Sequence, residues 1–274
     1  MTRASAILSA ILLIAATLVA LPVASLAHRF HWPLARTLPL WWHRFALKRL
    51  GFRIAEIGRP ARDRPLLLLP NHSSWLDIPI LGSRIPLSFV AKSEVATWPV
   101  FGLFARLQRC VFVERERRAK TGDVAKNIGA RLADGDVMVL FAEGTSNDGN
   151  GVLPFRSALL GATTAVMADD ASGHETVWVQ PVAIRYLRIH GLPVGRADRP
   201  KLAWYGDMDL IPHLVEVMLL RAVDVEIVWG EPIALTRAAN RKAVAADTEA
   251  RVRRMLCGGN GISGLRTEAR RDSI

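Results

Sequence analysis

His72 and Asp77, separated by four residues in Asn71-His72-Ser73-Ser74-Trp75-Leu76-Asp77, are the side chains of this 274-residue chain with the plainest chemical potential. On a regular helix, residues five apart point away from each other, because each step turns about 100°. The two meet if His72 lies in a turn before a helix and Asp77 in the helix's first turns, with Ser73 or Ser74 placed to cap it. Asp77 then accepts a hydrogen bond from one imidazole nitrogen, fixes the tautomer and leaves the other nitrogen free as a base. Such a base suits a hydroxyl that attacks an already activated acyl group such as a thioester, where the protein needs no nucleophile of its own. Taken alone, this spacing also fits a surface histidine and a helix-stabilising aspartate that never meet. No other His, Cys or acidic cluster lies nearby in sequence, so no metal and no cofactor are expected.

Two further loops add weight. An apolar run Val137–Ala142 leads into Glu143-Gly144-Thr145, and another, Cys110–Val113, leads into Glu114-Arg115-Glu116-Arg117-Arg118. In an open parallel sheet the C-terminal strand ends share one edge, where ligands bind, so His72, Arg115 and Glu143-Gly144 are expected to converge. Gly144 allows close backbone approach to a ligand. Arg115 offers a planar fork for phosphate. The rival reading of the arginine run is a solvated charged face.

The elements that must position these loops follow from periodicity. Leu66–Leu69, Leu87–Ala91, Cys110–Val113, Val137–Ala142, Val177–Ile184 and Val223–Trp229 read as strands. Lys92–Leu107, Ala119–Ala133, Phe155–Ala168 and Thr236–Leu256 read as helices. This alternation predicts an α/β fold with a central, mostly parallel sheet flanked by helices, preceded by an N-terminal membrane helix and interfacial segment. The expected division is residues 1–50 as anchor and interfacial segment, 51–257 as the α/β domain and 258–274 as a flexible basic tail.

Residues Ala4–Ala27 carry no charge, enough at about 1.5 Å per residue to cross a hydrocarbon core. Ala24-Ser25-Leu26-Ala27 resembles a signal-peptide cleavage site, the rival reading. The next stretch, His28–Leu50, holds Arg29, Arg36, Arg44, Lys48 and Arg49, no acid, and Trp32, Trp41 and Trp42. Basic residues beside a span mark its cytoplasmic side, and tryptophan prefers the headgroup level. Retention is therefore expected, with the N-terminus outside and the body in the cytoplasm. Pro33 and Pro39 predict a bent interfacial segment; a helix-turn packed on the domain itself is the alternative. The formal net charge of +11 calls for an anionic partner, nucleic acid or an anionic membrane. The two cysteines, Cys110 and Cys257, read as reduced and structural.

In order along Leu66–Ile184, four blocks resemble the glycerolipid acyltransferase superfamily, best known for 1-acyl-glycerol-3-phosphate acyltransferases. Asn71-His72 through Asp77 resembles its catalytic His-x4-Asp. Leu107-Gln108-Arg109-Cys110-Val111-Phe112-Val113-Glu114-Arg115 is similar to the block holding an acceptor-binding arginine, which falls on Arg115. Phe141-Ala142-Glu143-Gly144-Thr145 resembles the Phe-Pro-Glu-Gly-Thr acceptor loop, and Val179-Gln180-Pro181-Val182-Ala183-Ile184 the apolar proline-containing strand.

The resemblance implies His72 and Asp77 as catalytic residues and Arg115, Glu143, Gly144 and Thr145 as acceptor-binding residues. It implies an acyl-ACP or acyl-CoA donor, a lysolipid acceptor, and a site at the inner membrane with the catalytic domain facing the cytoplasm. The favoured acceptor is 1-acyl-sn-glycerol-3-phosphate, giving phosphatidate; the alternative is lyso-ornithine lipid. Two positions depart from the pattern: Ala142 replaces a proline, and Ser146 stands where an arginine commonly follows Glu-Gly-Thr. Trp204-Tyr205-Gly206-Asp207-Met208 is similar to a subgroup with bacterial lyso-ornithine-lipid acyltransferases. A non-catalytic basic membrane- or nucleic-acid-binding protein explains the charge equally well but not the convergent site residues, so no nucleic acid is expected. The lack of Gly-x-Ser-x-Gly argues against a serine hydrolase.

Overall fold

The computed structural model describes residues 3–113, 121–161, 163, 167 and 174–258. Two helices open the chain, α1 (Arg3–Arg29) and α2 (Leu34–Leu50). Ser9 Oγ donates to the Arg49 carbonyl at 3.4 Å and Trp42 Nε1 to Thr17 Oγ1 at 3.0 Å, so the two run antiparallel. Both ends of α1 are tied to the body. Arg221 bonds Ser5 Oγ, and His28 Nε2 donates to the Leu107 carbonyl at 2.9 Å. The chain bends at Pro33, as expected, by reversing over Phe30–Pro33, but α2 continues through Pro39 and packs on the body through Leu47 and Leu50, the alternative reading of this stretch. Ser5–Arg29 is long and apolar enough to cross a membrane, and its outer face exposes Ile7, Leu8, Ile11, Ile14 and Leu18.

The body is built on one sheet. Its strands are β1 (Phe52–Ile57), β2 (Leu66–Pro70), β3 (Ser88–Lys92), β4 (Val111–Val113), β5 (Val137–Val139), β6 (Thr176–Ile189), β7 (Leu192–Pro193), β8 (Val223–Trp229) and β9 (Ile233–Thr236). Their order is β1-β8-β6-β2-β5-β3-β4, with β7 and β9 also paired to β6. From β6 to β4 all neighbours are parallel; β8, β7 and β9 meet β6 antiparallel.

Strand β2 explains why this sequence makes a covered sheet. A half-exposed strand alternates apolar and polar residues, whereas one covered on both faces is apolar throughout. Leu66 and Leu68 pack with Leu47 of α2 and with Ile80 and Leu81 of α3 (Asp77–Gly82). Leu67 and Leu69 face the opposite core with Met138, Val179 and Val252. All four leucines are fully buried.

The described residues after α3 include the helices α4 (Phe101–Leu107), α5 (Thr121–Ala133), α6 (Leu210–Leu220) and α7 (Arg241–Leu256). Several expected helices are shorter than their patterns. Lys92–Leu107 is the end of β3, a 3-10 turn at Ser93–Thr97 and then α4, because Pro99 and Val100, at φ 63°, interrupt it. The segment expected as helix from Phe155 opens with a 3-10 turn at Ser157–Leu160, and Gly161, Thr163 and Met167 beyond it are helical. Helix α7 starts at Arg241 rather than Thr236, which closes β9; the Asn240 side chain caps it by accepting from the Lys242 N–H at 3.0 Å.

Candidate active site

Strand β2 delivers Asn71 and His72 to the sheet's C-terminal edge, and neighbouring β5 delivers Phe141 to Thr145 to the same edge. Asn71 anchors the exit from β2. Its Oδ1 accepts from the Ile184 N–H at 2.8 Å and its Nδ2 donates to the Ile184 carbonyl at 3.2 Å, as a further ladder rung to β6 would. The chain then turns through Ser73–Leu76, and Asp77 opens α3.

The turn brings the two sequence-predicted residues together: His72 Nδ1 lies 3.0 Å from Asp77 Oδ2. The serines bond no N–H of α3 itself, although Ser74 Oγ accepts from the Leu76 N–H at 3.3 Å in the turn that leads into it. The Asp77 carboxylate instead reaches back and accepts from the Ser73 and Ser74 N–H groups at 2.8 and 3.0 Å. Its other oxygen accepts from the Tyr186 hydroxyl at 2.7 Å. Asp77 is fully buried, and these donors compensate its lost hydration. Burial first, and then the Asp77 charge and hydrogen bond, push the Tyr186 phenol well above its usual range, so it stays a donor.

The His72 ring is held on two sides. Asp77 fixes its Nδ1 edge, and one face stacks on Phe141 at 3.8 Å between centroids and 21° between planes. The imidazole remains partly open, at 18% side-chain exposure against 0% for Asp77. An acceptor-saturated carboxylate at Nδ1 selects the tautomer with the proton there and a free Nε2 lone pair.

Glu143 lies inside the loop. Its carboxylate accepts from the His72 N–H at 2.7 Å, from Asn147 Nδ2 at 2.5 Å and from the Leu153 N–H at 2.8 Å. Burial raises its pKa, and the three hydrogen bonds and His72 oppose that shift. The Asn147 N–H also donates to the His72 carbonyl at 3.0 Å, closing a brace between the two loops. Gly144 has φ +81°, a conformation that glycine adopts without strain. A Cβ there would come within 3.0 Å of the Arg156 guanidinium, which lies over the loop. Thr145 is exposed beside it. Of the expected site residues, Arg115 lies outside the described residues, as do Arg117 and Arg118.

Sequence reasoning named Asn71 without a role and missed Tyr186, Phe141 as a ring support, and Asn147. Tyr186 acts through a partner made adjacent by the sheet, and no short motif marks it. Trp75 is likewise tied at long range, its Nε1 donating to His213 Nδ1 at 3.0 Å.

The protein-family profile described as Acyltransferase matches residues 52–185, spanning the sheet from β1 into β6. A lyso-ornithine lipid O-acyltransferase of Brucella abortus is 51% identical over 221 residues, covering 81% of this chain and 82% of that protein. One from Rhizobium meliloti is 46% identical over 249 residues, covering 91% and 85%. Among solved structures, the 1-acyl-sn-glycerophosphate acyltransferase PlsC of Thermotoga maritima superposes with a TM-score of 0.50 at 18% identity, covering 89% of this chain and 95% of that one, a likeness of fold. Family pattern, relatives and fold agree, and the chain belongs to the glycerolipid acyltransferase superfamily, as an enzyme that transfers an acyl group to a lysolipid.

Proposed function

We propose that this acyltransferase esterifies the free hydroxyl of lyso-ornithine lipid, using His72 as general base. The chemistry rests on the His72–Asp77 contact. In this reading His72 Nε2 takes the proton of the acceptor hydroxyl as its oxygen attacks the donor's thioester carbonyl. Asp77 stabilises the imidazolium through Nδ1. The tetrahedral species collapses to the new ester and expels the thiolate, which takes the proton back from Nε2 as free thiol. Such a base contributes about 10²- to 10⁴-fold.

Within that reading Glu143 is a brace, since its oxygens are occupied by His72, Asn147 and Leu153. Gly144, Thr145 and the exposed Arg156 guanidinium present the acceptor-facing surface, and Arg115 is assigned acceptor binding from its sequence block. The choice of acceptor is supported by the two relatives, whose names carry lyso-ornithine lipid, over the lysophosphatidate that family frequency favours. Ser146 supports it too: an ornithine headgroup, with one carboxylate and one ammonium, needs fewer cations than a phosphate monoester.

The same reading puts the enzyme at the cytoplasmic face of the inner membrane, where acyl-ACP or acyl-CoA is the donor. Residues 1–50 form the membrane-binding part, and 51–257 the catalytic domain. Because α1 is bonded to the body at both Ser5 and His28, the hairpin of α1 and α2 fits an in-plane mode in one leaflet better than a span. The deciding experiment incubates the purified protein with labelled acyl-ACP or acyl-CoA and, separately, lyso-ornithine lipid and lysophosphatidate, followed by product analysis. Diacylated ornithine lipid is expected as the main product; preferred formation of phosphatidate overturns the acceptor assignment.

A further inference from the structure

Helix α6 (Leu210–Leu220) is apolar on the wrong side for a helix whose outer face meets water. Its inward residues, His213 and Val217, are buried in the body. On the opposite face Ile211, Val215 and Leu219, at i, i+4 and i+8, form a single stripe exposed by 60%, 51% and 55%. An exposed row of branched apolar side chains on a polar-solvated helix would ordinarily be broken by charges, and contiguous patches of this kind mark interaction surfaces.

The position of the stripe indicates its partner. Helix α6 packs against α1. Arg221, the residue after α6, bonds Ser5 Oγ at the start of α1. The neighbouring turns of α1 carry exposed Ile7, Leu8 and Ile11. The apolar face of α6 thus adjoins the apolar face of the membrane-binding helix. The same corner holds Arg221, whose guanidinium also donates to the Arg49 carbonyl, a cation of the kind an anionic headgroup layer attracts.

We propose that α6 is a second lipid-contacting element, whose Ile211, Val215 and Leu219 insert shallowly into the bilayer surface that takes α1. Its inner face gives this docking a consequence. His213 Nδ1 accepts from Trp75 Nε1 at 3.0 Å, and Trp75 belongs to the turn between His72 and Asp77. Burial lowers the His213 pKa, which favours the neutral ring that this acceptor role needs. Docking of α6 thereby holds the turn carrying the base against the lipid surface in which a lysolipid acceptor resides. Only this consequence rests on the proposed acyl-transfer mechanism; the docking does not.

The test uses the full chain carrying Cys257→Ser, since Cys257 is exposed and Cys110 is far less accessible. In that background Val215→Cys is labelled with a polarity-sensitive fluorophore and mixed with phosphatidylethanolamine–phosphatidylglycerol vesicles. A Leu18→Cys label on α1 serves as reference. A blue shift at position 215, quenched by lipid-borne quenchers, is the expected result. Water-like emission at 215 while position 18 reports insertion would overturn the proposal.

In a second arm, Ile211→Gln, Val215→Gln and Leu219→Gln are combined. The rate on vesicle-embedded acceptor should fall by about 10-fold, with the rate on detergent-solubilised acceptor unchanged. Equal losses in both settings would overturn the coupling to the catalytic turn. An enzyme inert with every acceptor would refute the proposed function while the fluorescence still decides the docking.

Discussion

The Tyr186 hydroxyl donates to Asp77 Oδ1 at 2.7 Å across 109 residues of chain, while His72 approaches Oδ2 at 3.0 Å. The His72–Asp77 pair, proposed as catalytic, is thus joined by a third residue on strand β6. Tyr186→Phe removes a donor from a buried carboxylate without opening a cavity. Asp77 is then held less firmly against Nδ1 of His72. Turnover should fall by about 10-fold, as expected for one hydrogen bond to a charged group, with little change in the KM for donor. Steady-state kinetics check both, and wild-type turnover would remove Tyr186 from the positioning of Asp77.

His72→Ala should lower turnover by at least about 100-fold and leave the thermal unfolding midpoint nearly unchanged, because the ring is partly exposed and stacks on one face only. Near-normal turnover would sink its assignment as the base.

Much of this site was legible because its chemistry sits in contiguous blocks at strand ends. Leu66–Leu69 announces a doubly covered strand, and the residues after it carry the pair. Tyr186 was invisible for the opposite reason: it lies in the later half of β6, and only the pairing of β6 with β2 carries it to Asp77. The helix expected over Lys92–Leu107 shows another limit, since its apolar content reads through Pro99 and Val100, where the backbone breaks. Helix α6 was passed over because a segment apolar on both faces lacks the one-sided periodicity of a surface helix.

Glu143→Gln keeps the shape but places an amide –NH₂ among three N–H donors. One donor loses its acceptor if the –NH₂ replaces Oε1, and two if it replaces Oε2. The variant should be less stable by about 1–3 kcal/mol and should lose turnover with little change in the KM for donor, because the brace sets the position of His72. A variant with wild-type turnover and unfolding midpoint would show that the brace does not hold the base.

Acid should destabilise the fold through His43. Burial pushes its pKa from 6.5 down to about 4, against the raising effect of its hydrogen bond to Gln108. The unfolded chain protonates this group below about 6.5 while the folded chain does not, so stability falls as pH drops from there towards 4 and is flat above. The full loss is roughly 3 kcal/mol. His213, also lowered by burial, acts in the same sense, whereas Glu143, raised by burial, acts in the opposite one. The informative comparison is therefore the difference in melting temperature between about pH 7 and pH 5 for wild type and His43→Gln. A smaller difference is expected in the variant; an equal one would show that His43 does not carry the dependence.

Acceptor choice should respond to position 146. The exposed Arg156 guanidinium lies over Gly144, and Ser146 follows two residues later. One guanidinium matches the single carboxylate of an ornithine headgroup in two parallel hydrogen bonds. A phosphate monoester carries nearly twice that charge and gains more from a second cation. Ser146→Arg supplies it at the surface, where solvent screens a charge-assisted contact to below the 1.5–3 kcal/mol common for such bonds, so the expected shift is about 5-fold in relative kcat/KM towards lysophosphatidate. Arg156→Ala should raise the KM for either acceptor more than it lowers kcat, because a headgroup contact far from the reacting hydroxyl is made equally in ground and transition states. Competition between the two acceptors, with wild type and Ser146→Arg, measures the first effect, and steady-state kinetics of Arg156→Ala on each acceptor alone measure the second. A preference that does not move in Ser146→Arg would show that this position does not read the headgroup.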